Sequence, residues 1–331
     1  METLPAALVI NVTLQCPLKC AHCCYSSDMF KAGHLSFEQI ALAISQAAGI
    51  QAFRAVHFVG GDPLLHPDLL ADAIALAAGL GLSTGITTSA FWAKSPGHAQ
   101  KVVDKLCDAG LSEITVSYDD AHAAFLGLHY IANAVAAAVL RSLKLRIAVV
   151  VEPGAAITAA TLRAQLGLQE ASAIQIYETA VNSTGRAAAV DEVRLHTRTE
   201  HAEVYRGACQ SVFRNVQIDP QGNVIPCCGV LPHHSSMVVG NLVDDGLEIA
   251  VARAQQDPLY RWISKDGPVA ILADITAADT APMRTTDFDG ICTACDRMFS
   301  SPLLLRRARH TAAARCAEGQ SENVVLKWVT T

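Results

Sequence analysis

The sequence predicts an α/β protein: a partial barrel of six βα units, extended on its C-terminal side by a smaller β-hairpin/α unit. Three observations carry that expectation. Over the first ~180 residues, short β-branched runs alternate with alanine-rich helical stretches, the pattern of a parallel sheet with crossover helices. After Gly185 the alternation stops, and Asp219-Pro220-Gln221-Gly222-Asn223 reads as a turn between two short apolar runs. Hydrophobic residues make up 51% of 331, which supplies a large core.

Strands are expected at Leu8–Leu14, Ala55–Gly60, Ser83–Ser89, Glu113–Tyr118, Leu145–Val151 and Ile174–Ala180. Helices fit between them at Ser36–Ala48, Pro67–Leu80, Gly97–Ala109, His122–Leu143 and Thr158–Leu166. Ser36 with Glu38 and Gln39, and the Pro67-Asp68 pair, are helix-start signals. Right-handed crossovers curl such units into a barrel, here a partial TIM-like (β/α)6 one. Beyond it, Val212–Ile218 and Val224–Pro226 form the hairpin, and Asp257–Asp289 reads as irregular. A helix at Leu303–Ala317 and a strand at Val324–Val329 end the chain. Arg306, Arg307, Arg309 and Arg315 on that helix read as a solvated face rather than a site for an acidic partner.

A net charge of −6 with no long basic run argues against nucleic acid as a partner. No apolar stretch reaches the ~18 residues that span a bilayer, and the N-terminus lacks a signal-peptide pattern. A cytoplasmic protein with no membrane partner is expected, and there eleven cysteines, mostly clustered, point to metal or catalysis rather than disulfides. Cys107, alone, reads as a buried thiol.

Cys16, Cys20 and Cys23 have the spacing C-x3-C-x2-C just after the first strand. Three thiolates on one tight loop can hold three irons of a [4Fe–4S] cube and leave the fourth open. The end of a barrel strand is also where active sites form. These residues resemble the signature of the radical S-adenosylmethionine (SAM) superfamily, with His22 at its aromatic position. Gly60-Gly61-Asp62-Pro63, ending the second strand, resembles the family's GGEP motif, whose backbone grips the amino group of SAM; Asp62 stands where Glu is usual. Thr87-Thr88-Ser89 and Ser117-Tyr118-Asp119 end strands three and four where the family has SAM-contacting polar residues. The resemblance implies a SAM-binding [4Fe–4S] cluster, reductive cleavage of SAM to a 5′-deoxyadenosyl radical, and hydrogen abstraction from a substrate C–H bond. His22, Gly60, Gly61, Asp62, Pro63, Ser89 and Ser117 are the implied SAM-site residues.

Cys209, Gly222 and Cys227, with Cys292-Thr-Ala-Cys295 later, are similar to the opening of SPASM and twitch auxiliary-cluster domains. The further cysteines of a full SPASM domain are missing, so the shorter twitch arrangement fits, with a second [4Fe–4S] cluster on Cys209, Cys227, Cys292 and Cys295. A structural zinc site on the same ligands is the alternative, and Cys228 is an alternative to Cys227. Asn182-Ser183-Thr184-Gly185-Arg186-Ala187 resembles a Gly-Arg-Ala segment at the family's domain junction. Domains are accordingly expected at 1–190, 191–303 and, for a C-terminal helix and strand tail, 304–331.

Cys24, Cys228 and Cys316 are left over. A thiol near the substrate can donate a hydrogen atom to a carbon radical, which makes Cys228 a candidate; a neighbour thiol with no role is the alternative. Asp119 and Glu178, at strand ends, are candidates to orient substrate, beside Asp120 and His122, which also suit a first helical turn. The resemblance implies modification of a ribosomally made peptide by epimerisation, crosslinking or oxidation. A small-molecule dehydrogenase or epimerase of sugar type is the alternative, and a non-catalytic electron-transfer protein a remote one. A reductase such as flavodoxin or ferredoxin is an expected partner. With the first cysteine at residue 16, a separate leader-peptide recognition protein is expected as well.

Overall fold

The computed structural model describes residues 6–169, 173–189, 205–229 and 234–318. Six strands alternate with helices: β1 (Ala6–Thr13), α1 (Phe37–Gly49), β2 (Phe53–Gly60), α2 (Pro67–Gly79), β3 (Ser83–Thr88), α3 (Pro96–Asp108) and β4 (Glu113–Ser117) come first. Then follow α4 (Asp120–Ala123), α5 (Leu128–Leu140), β5 (Lys144–Val151), α6 (Ala159–Gln165) and β6 (Gln175–Ala180). The sheet continues past β1 with β7 (Asn215–Ile218), β8 (Asn223–Ile225) and β9 (Gly240–Asn241), in the order β6-β5-β4-β3-β2-β1-β7-β8-β9. Strands β1 to β6 are parallel, β7 lies parallel to β1, and β8 and β9 turn back antiparallel.

Alternation across each strand divides its side chains. Leu8, Ile10 and Val12 of β1, Val56 and Phe58 of β2, Ile114 and Val116 of β4, and Ile147 and Val149 of β5 pack under the helices in one large core. The opposite face carries polar groups such as Asn11, Thr13, Thr115 and Gln217, and there the candidate site forms. Ser36 and Gln39 cap α1 reciprocally (Gln39 N to Ser36 Oγ 3.3 Å, Ser36 N to Gln39 Oε1 2.9 Å), as the start signal implies.

Two expectations need correction. The helix expected at His122–Leu143 is two helices, because Asp119 caps α4 and the chain then breaks at Gly127, which caps α5. The span Asp257–Asp289, expected to be irregular, contains α8 (Pro258–Asp266) and α9 (Pro268–Ile275), preceded by α7 (Leu247–Gln256). Pro258 and Pro268 occupy first helical turns, where the missing N–H costs nothing, and the Asp257 side chain accepts from Leu259 N at 2.8 Å. Gly267, at φ +84°, ends one helix and begins the next; a Cβ there would sit 2.0 Å from the Gly207 carbonyl oxygen.

The helices α7, α8 and α9, with α10 (Ile291–Ser300) and α11 (Pro302–Ala317), enclose most of a second core. The boundary expected at 303/304 falls inside α11, whose Leu304, Ala308 and Ala312 are buried in that core. The arginines of α11 mostly face acids of this same chain: Arg307–Asp279 at 2.7 Å, Arg309–Asp257 at 2.8 Å, and Arg315–Asp274 at 3.3 Å with its guanidinium 4.6 Å above the Trp262 ring. The boundary expected at 190/191 and the strand Val324–Val329 lie outside the described residues. Among the described residues no helix is long and apolar enough to cross a membrane.

Candidate active site

The loop that leaves β1 turns its cysteines toward the polar face of the sheet. Backbone amides brace two sulfurs, Leu18 N to Cys16 Sγ at 3.4 Å and Ser27 N to Cys23 Sγ at 3.3 Å, and Cys23 N closes a turn onto Cys20 O at 3.2 Å. Cys16, Cys20 and Cys23 line one cavity of about 340 Å³. Burial, then the Asp62 carboxylate, pushes the Cys16 thiol up to about 12, and burial raises Cys20 as well. Such thiols give up their protons when a metal arrives to replace them, so the donor set fits an iron–sulfur cluster.

Gly60 and Gly61 line the same cavity because the turn after β2 lies against the cysteine loop. Gly61 N donates to Thr13 O at 2.6 Å and Asp62 N to Gln15 O at 2.8 Å. A Cβ on Gly60 would meet Thr13 O at 2.3 Å, and one on Gly61 would meet Gln15 O at 1.9 Å, so only glycine allows this approach. Asp62 itself, expected among the cofactor-binding side chains, points away from the cavity. Its fully buried carboxylate accepts from Ser89 N (2.8 Å), Ser89 Oγ (2.7 Å), Leu64 N (3.1 Å) and Thr88 Oγ1 (3.0 Å). It thereby fixes the end of β3, where Ser89 faces the cavity, to the glycine turn. Pro63 opens a short 3-10 turn behind it and is buried.

Ser117 and His122 face the cavity from β4 and α4, and His22 reaches it from the cysteine loop. Asp119 sits behind both imidazoles and is fully buried. His22 Nε2 and His122 Nδ1 lie 3.0 and 2.9 Å from its Oδ1, which also accepts from Ala121 N and His122 N. Burial works to raise the Asp119 carboxyl, but hydrogen bonds from His122 and His22 overcome it and hold it well below the carboxylate range. Asp119 therefore orients two rings. His22 and Val150 also line a second cavity of about 430 Å³, which extends over Asp120, Glu152 and Gly154. Glu178, expected at the barrel mouth, is exposed, borders neither cavity and accepts from Ala159 N at 2.6 Å as a cap on α6.

The second cysteine set is also assembled. Gly222, at φ +78°, makes the β7–β8 turn, with Asp219 accepting from Gln221 N and Asn223 N, both at 2.9 Å. The Cys227 thiol donates to Cys209, which holds Cys209 down to about 6 and Cys227 well up. Cys292 and Cys295, on the first turns of α10, add their charge to the same spot. Cys228, next in sequence, faces the first cavity instead, its thiol pushed up to about 11 by burial. Cys24 and Tyr25 line that cavity too, two residues to which no role follows from spacing. Cys107 and Cys316 lie on α3 and α11, away from both sets.

Residues 10–145 match the radical SAM superfamily, and residues 209–270 match an iron–sulfur cluster-binding domain of the SPASM type. The chain is 29% identical over 116 residues to a PqqA peptide cyclase of Bradyrhizobium diazoefficiens, covering 35% of this chain and 29% of that one. It is 24% identical over 124 residues to YydG of Bacillus subtilis, a protein assigned to peptide biosynthesis, covering 38% and 39%. The matched stretch thus spans 29 to 39% of the length of these curated relatives. Among solved structures, anSMEcpe with bound AdoMet superposes with a TM-score of 0.54 at 12% identity, over 95% of this chain and 99% of that one, a likeness of fold. The chain belongs to the radical SAM superfamily and carries a C-terminal SPASM-type domain. Its two domains imply a SAM-binding [4Fe–4S] cluster, SAM and an auxiliary cluster.

Proposed function

We propose that this enzyme cleaves SAM reductively and modifies a ribosomally synthesised peptide at carbon, by epimerisation, crosslinking or oxidation. Cys16, Cys20 and Cys23 hold the SAM-binding cluster, and Cys209, Cys227, Cys292 and Cys295 the auxiliary one. The bound cluster and SAM together supply a 5′-deoxyadenosyl radical after a one-electron reduction. The observation that carries this reading is one cavity bordered at once by the cysteine triad, the Gly60-Gly61 backbone, Ser89, Ser117 and Cys228.

In this reading the Gly60-Gly61 backbone takes the amino end of SAM, and Ser89 and Ser117 offer hydroxyls to its polar groups. His22, fixed with His122 by Asp119, borders both the first cavity and the second, which has room for a purine. Cys228 faces the substrate side as a hydrogen-atom donor. Peptide as the substrate class is supported by the peptide cyclases and by YydG among the relatives. A small reductase of flavodoxin or ferredoxin type supplies the electron, a separate recognition protein presents the leader, and the enzyme works in the cytoplasm.

Anaerobic reconstitution, reduction with SAM and mass spectrometry of a candidate peptide test the proposal. Formation of 5′-deoxyadenosine together with loss of two hydrogens, or with deuterium uptake from heavy water, is expected. Peptide left unchanged while a small molecule is converted would overturn the substrate assignment, and absence of any SAM cleavage would overturn the reaction.

A further inference from the structure

The segment between β6 and the second cysteine set touches both candidate cluster sites. At one end, Ser183 donates from N (2.9 Å) and Oγ (2.6 Å) to the buried carboxylate of Asp289, and the Thr293 hydroxyl donates to that same carboxylate, next to Cys292. At the other end, Arg186 folds over the loop of the first triad. Its backbone N donates to Cys23 O at 3.0 Å, Nη1 to Cys20 O at 2.5 Å and Nη2 to Ser27 O at 2.7 Å. Gly185 makes the approach possible: at φ +55°, a Cβ there would lie 2.1 Å from Cys24 O. One residue therefore ties three carbonyls of the loop that carries the triad, two of them through its side chain.

We propose that Arg186 is a positioning residue that clamps the Cys20–Ser27 loop and, through its charge beside the triad, raises the reduction potential of the cluster held there. The inference rests on the reading that Cys16, Cys20 and Cys23 hold that cluster. Reduction adds negative charge to a cluster already surrounded by thiolates, in a region that also buries the carboxyl groups of Asp62 and Asp119. A fixed guanidinium next to it favours the reduced form, and cluster potentials respond to nearby charge. The two guanidinium bonds, to Cys20 O and Ser27 O, hold that charge on the loop that carries the triad. Arginine suits the position because its planar fork can hold two carbonyls while the charge stays delocalised and permanent.

The test uses the reconstituted full chain as Arg186→Gln and Arg186→Lys, with iron content and an EPR-monitored redox titration. The SAM-site signal is identified by its change on adding SAM, and the auxiliary signal serves as internal reference. Arg186→Gln is expected to move the SAM-site midpoint to more negative potential with the auxiliary midpoint unmoved, and Arg186→Lys to restore most of the shift. An unchanged midpoint in Arg186→Gln, or equal shifts in both variants, would overturn the role of charge. If Arg186→Gln loses the cluster outright, its retention in Arg186→Lys supports the proposal and its loss from both overturns it. A wild-type chain lacking any SAM-sensitive signal would instead defeat the cluster assignment itself.

Discussion

Asp62 is the residue where the expected role and the observed geometry part most clearly, and Asp62→Asn measures the difference. The carboxylate accepts four donors in a site without solvent: Ser89 N and Oγ on Oδ2, Leu64 N on Oδ1, and Thr88 Oγ1 between them. An isosteric amide can keep its oxygen toward Ser89, but its NH2 then faces the Leu64 N–H, donor against donor. Leaving that buried amide unpaired costs about 1–3 kcal/mol. Losing charge assistance at the three remaining bonds costs about 0.5–1 kcal/mol each. Burial is the larger influence on this carboxyl and raises it despite these bonds, so the lower desolvation of a neutral group offsets the lost charge assistance and leaves about 1–3 kcal/mol from the unpaired amide, a sizeable share of the ~5–15 kcal/mol that folds a typical domain. Chemical denaturation of both proteins, prepared identically, reads the loss. Asp62→Glu keeps the charge but adds a methylene to a closed site, and costs about 1–3 kcal/mol through overpacking. Because Asp62 ties Ser89 to the glycine turn, the Asn variant should also bind SAM more weakly. A change within about 0.5 kcal/mol for Asp62→Asn, the range of a surface substitution, would refute the reasoning.

Other substitutions probe the remaining contacts. Gly61→Ala places a Cβ 1.9 Å from the Gln15 carbonyl oxygen, a clash no rotamer relieves, and should remove about four of about eight irons per chain on metal analysis; full iron would show that the loop yields. Cys295→Ser should lose about four irons while the SAM-sensitive EPR signal persists, and loss of that signal as well would place Cys295 elsewhere. Cys228→Ala should still cleave SAM but give no inverted product if the reaction is epimerisation, and unchanged product would remove the residue from the chemistry. Arg315→Ala gives up a cation–π contact with Trp262 and half-exposed ion pairs, about 1 kcal/mol in all by denaturation; more than about 3 kcal/mol would point to a contact not considered.

The parallel half-barrel was legible because its signal is local: β-branched runs at regular spacing place β1 to β6 within a residue or two. The helices from Leu247 to Ile275 were not, since Pro258, Gly267 and Pro268 look like breakers in sequence and act as caps and first-turn residues in the fold. The same distinction explains the misplaced acids. Strand ends can be read from sequence, but the face on which a side chain emerges depends on register. Tyr177 faces the polar side of the sheet, where the Arg146 guanidinium lies 5.0 Å from its ring, and so Glu178, one residue on, turns to the other side and caps α6. Asp62 looks like a ligand-facing acid in its motif because the glycines beside it do face the cavity; only the donors of Ser89 and Leu64 reveal where its charge goes.

The meeting of the two cysteine sets depends on a pairing that no local pattern encodes. Strand β7 adds to the free edge of β1, in register from Ala7 with Asn215 to Ile10 with Ile218, although about two hundred residues separate them. That pairing brings Gln217 to the Tyr25 hydroxyl, 3.4 Å away on the cysteine loop, and the β8 return carries Cys227 and Cys228 past the same loop. β8 ends at Ile225, and the two cysteines that follow the bend at Pro226 turn to different neighbours. Cys227 accordingly joins Cys209, Cys292 and Cys295, while Cys228 lines the cavity of the first triad. A one-residue shift at this point would exchange the two thiols between the second cysteine set and the first cavity. The glycine turn at Gly222 fixes that register, so the Gly-x4-Cys spacing sets which of two neighbouring thiols lies with Cys209, Cys292 and Cys295 and which lines the first cavity.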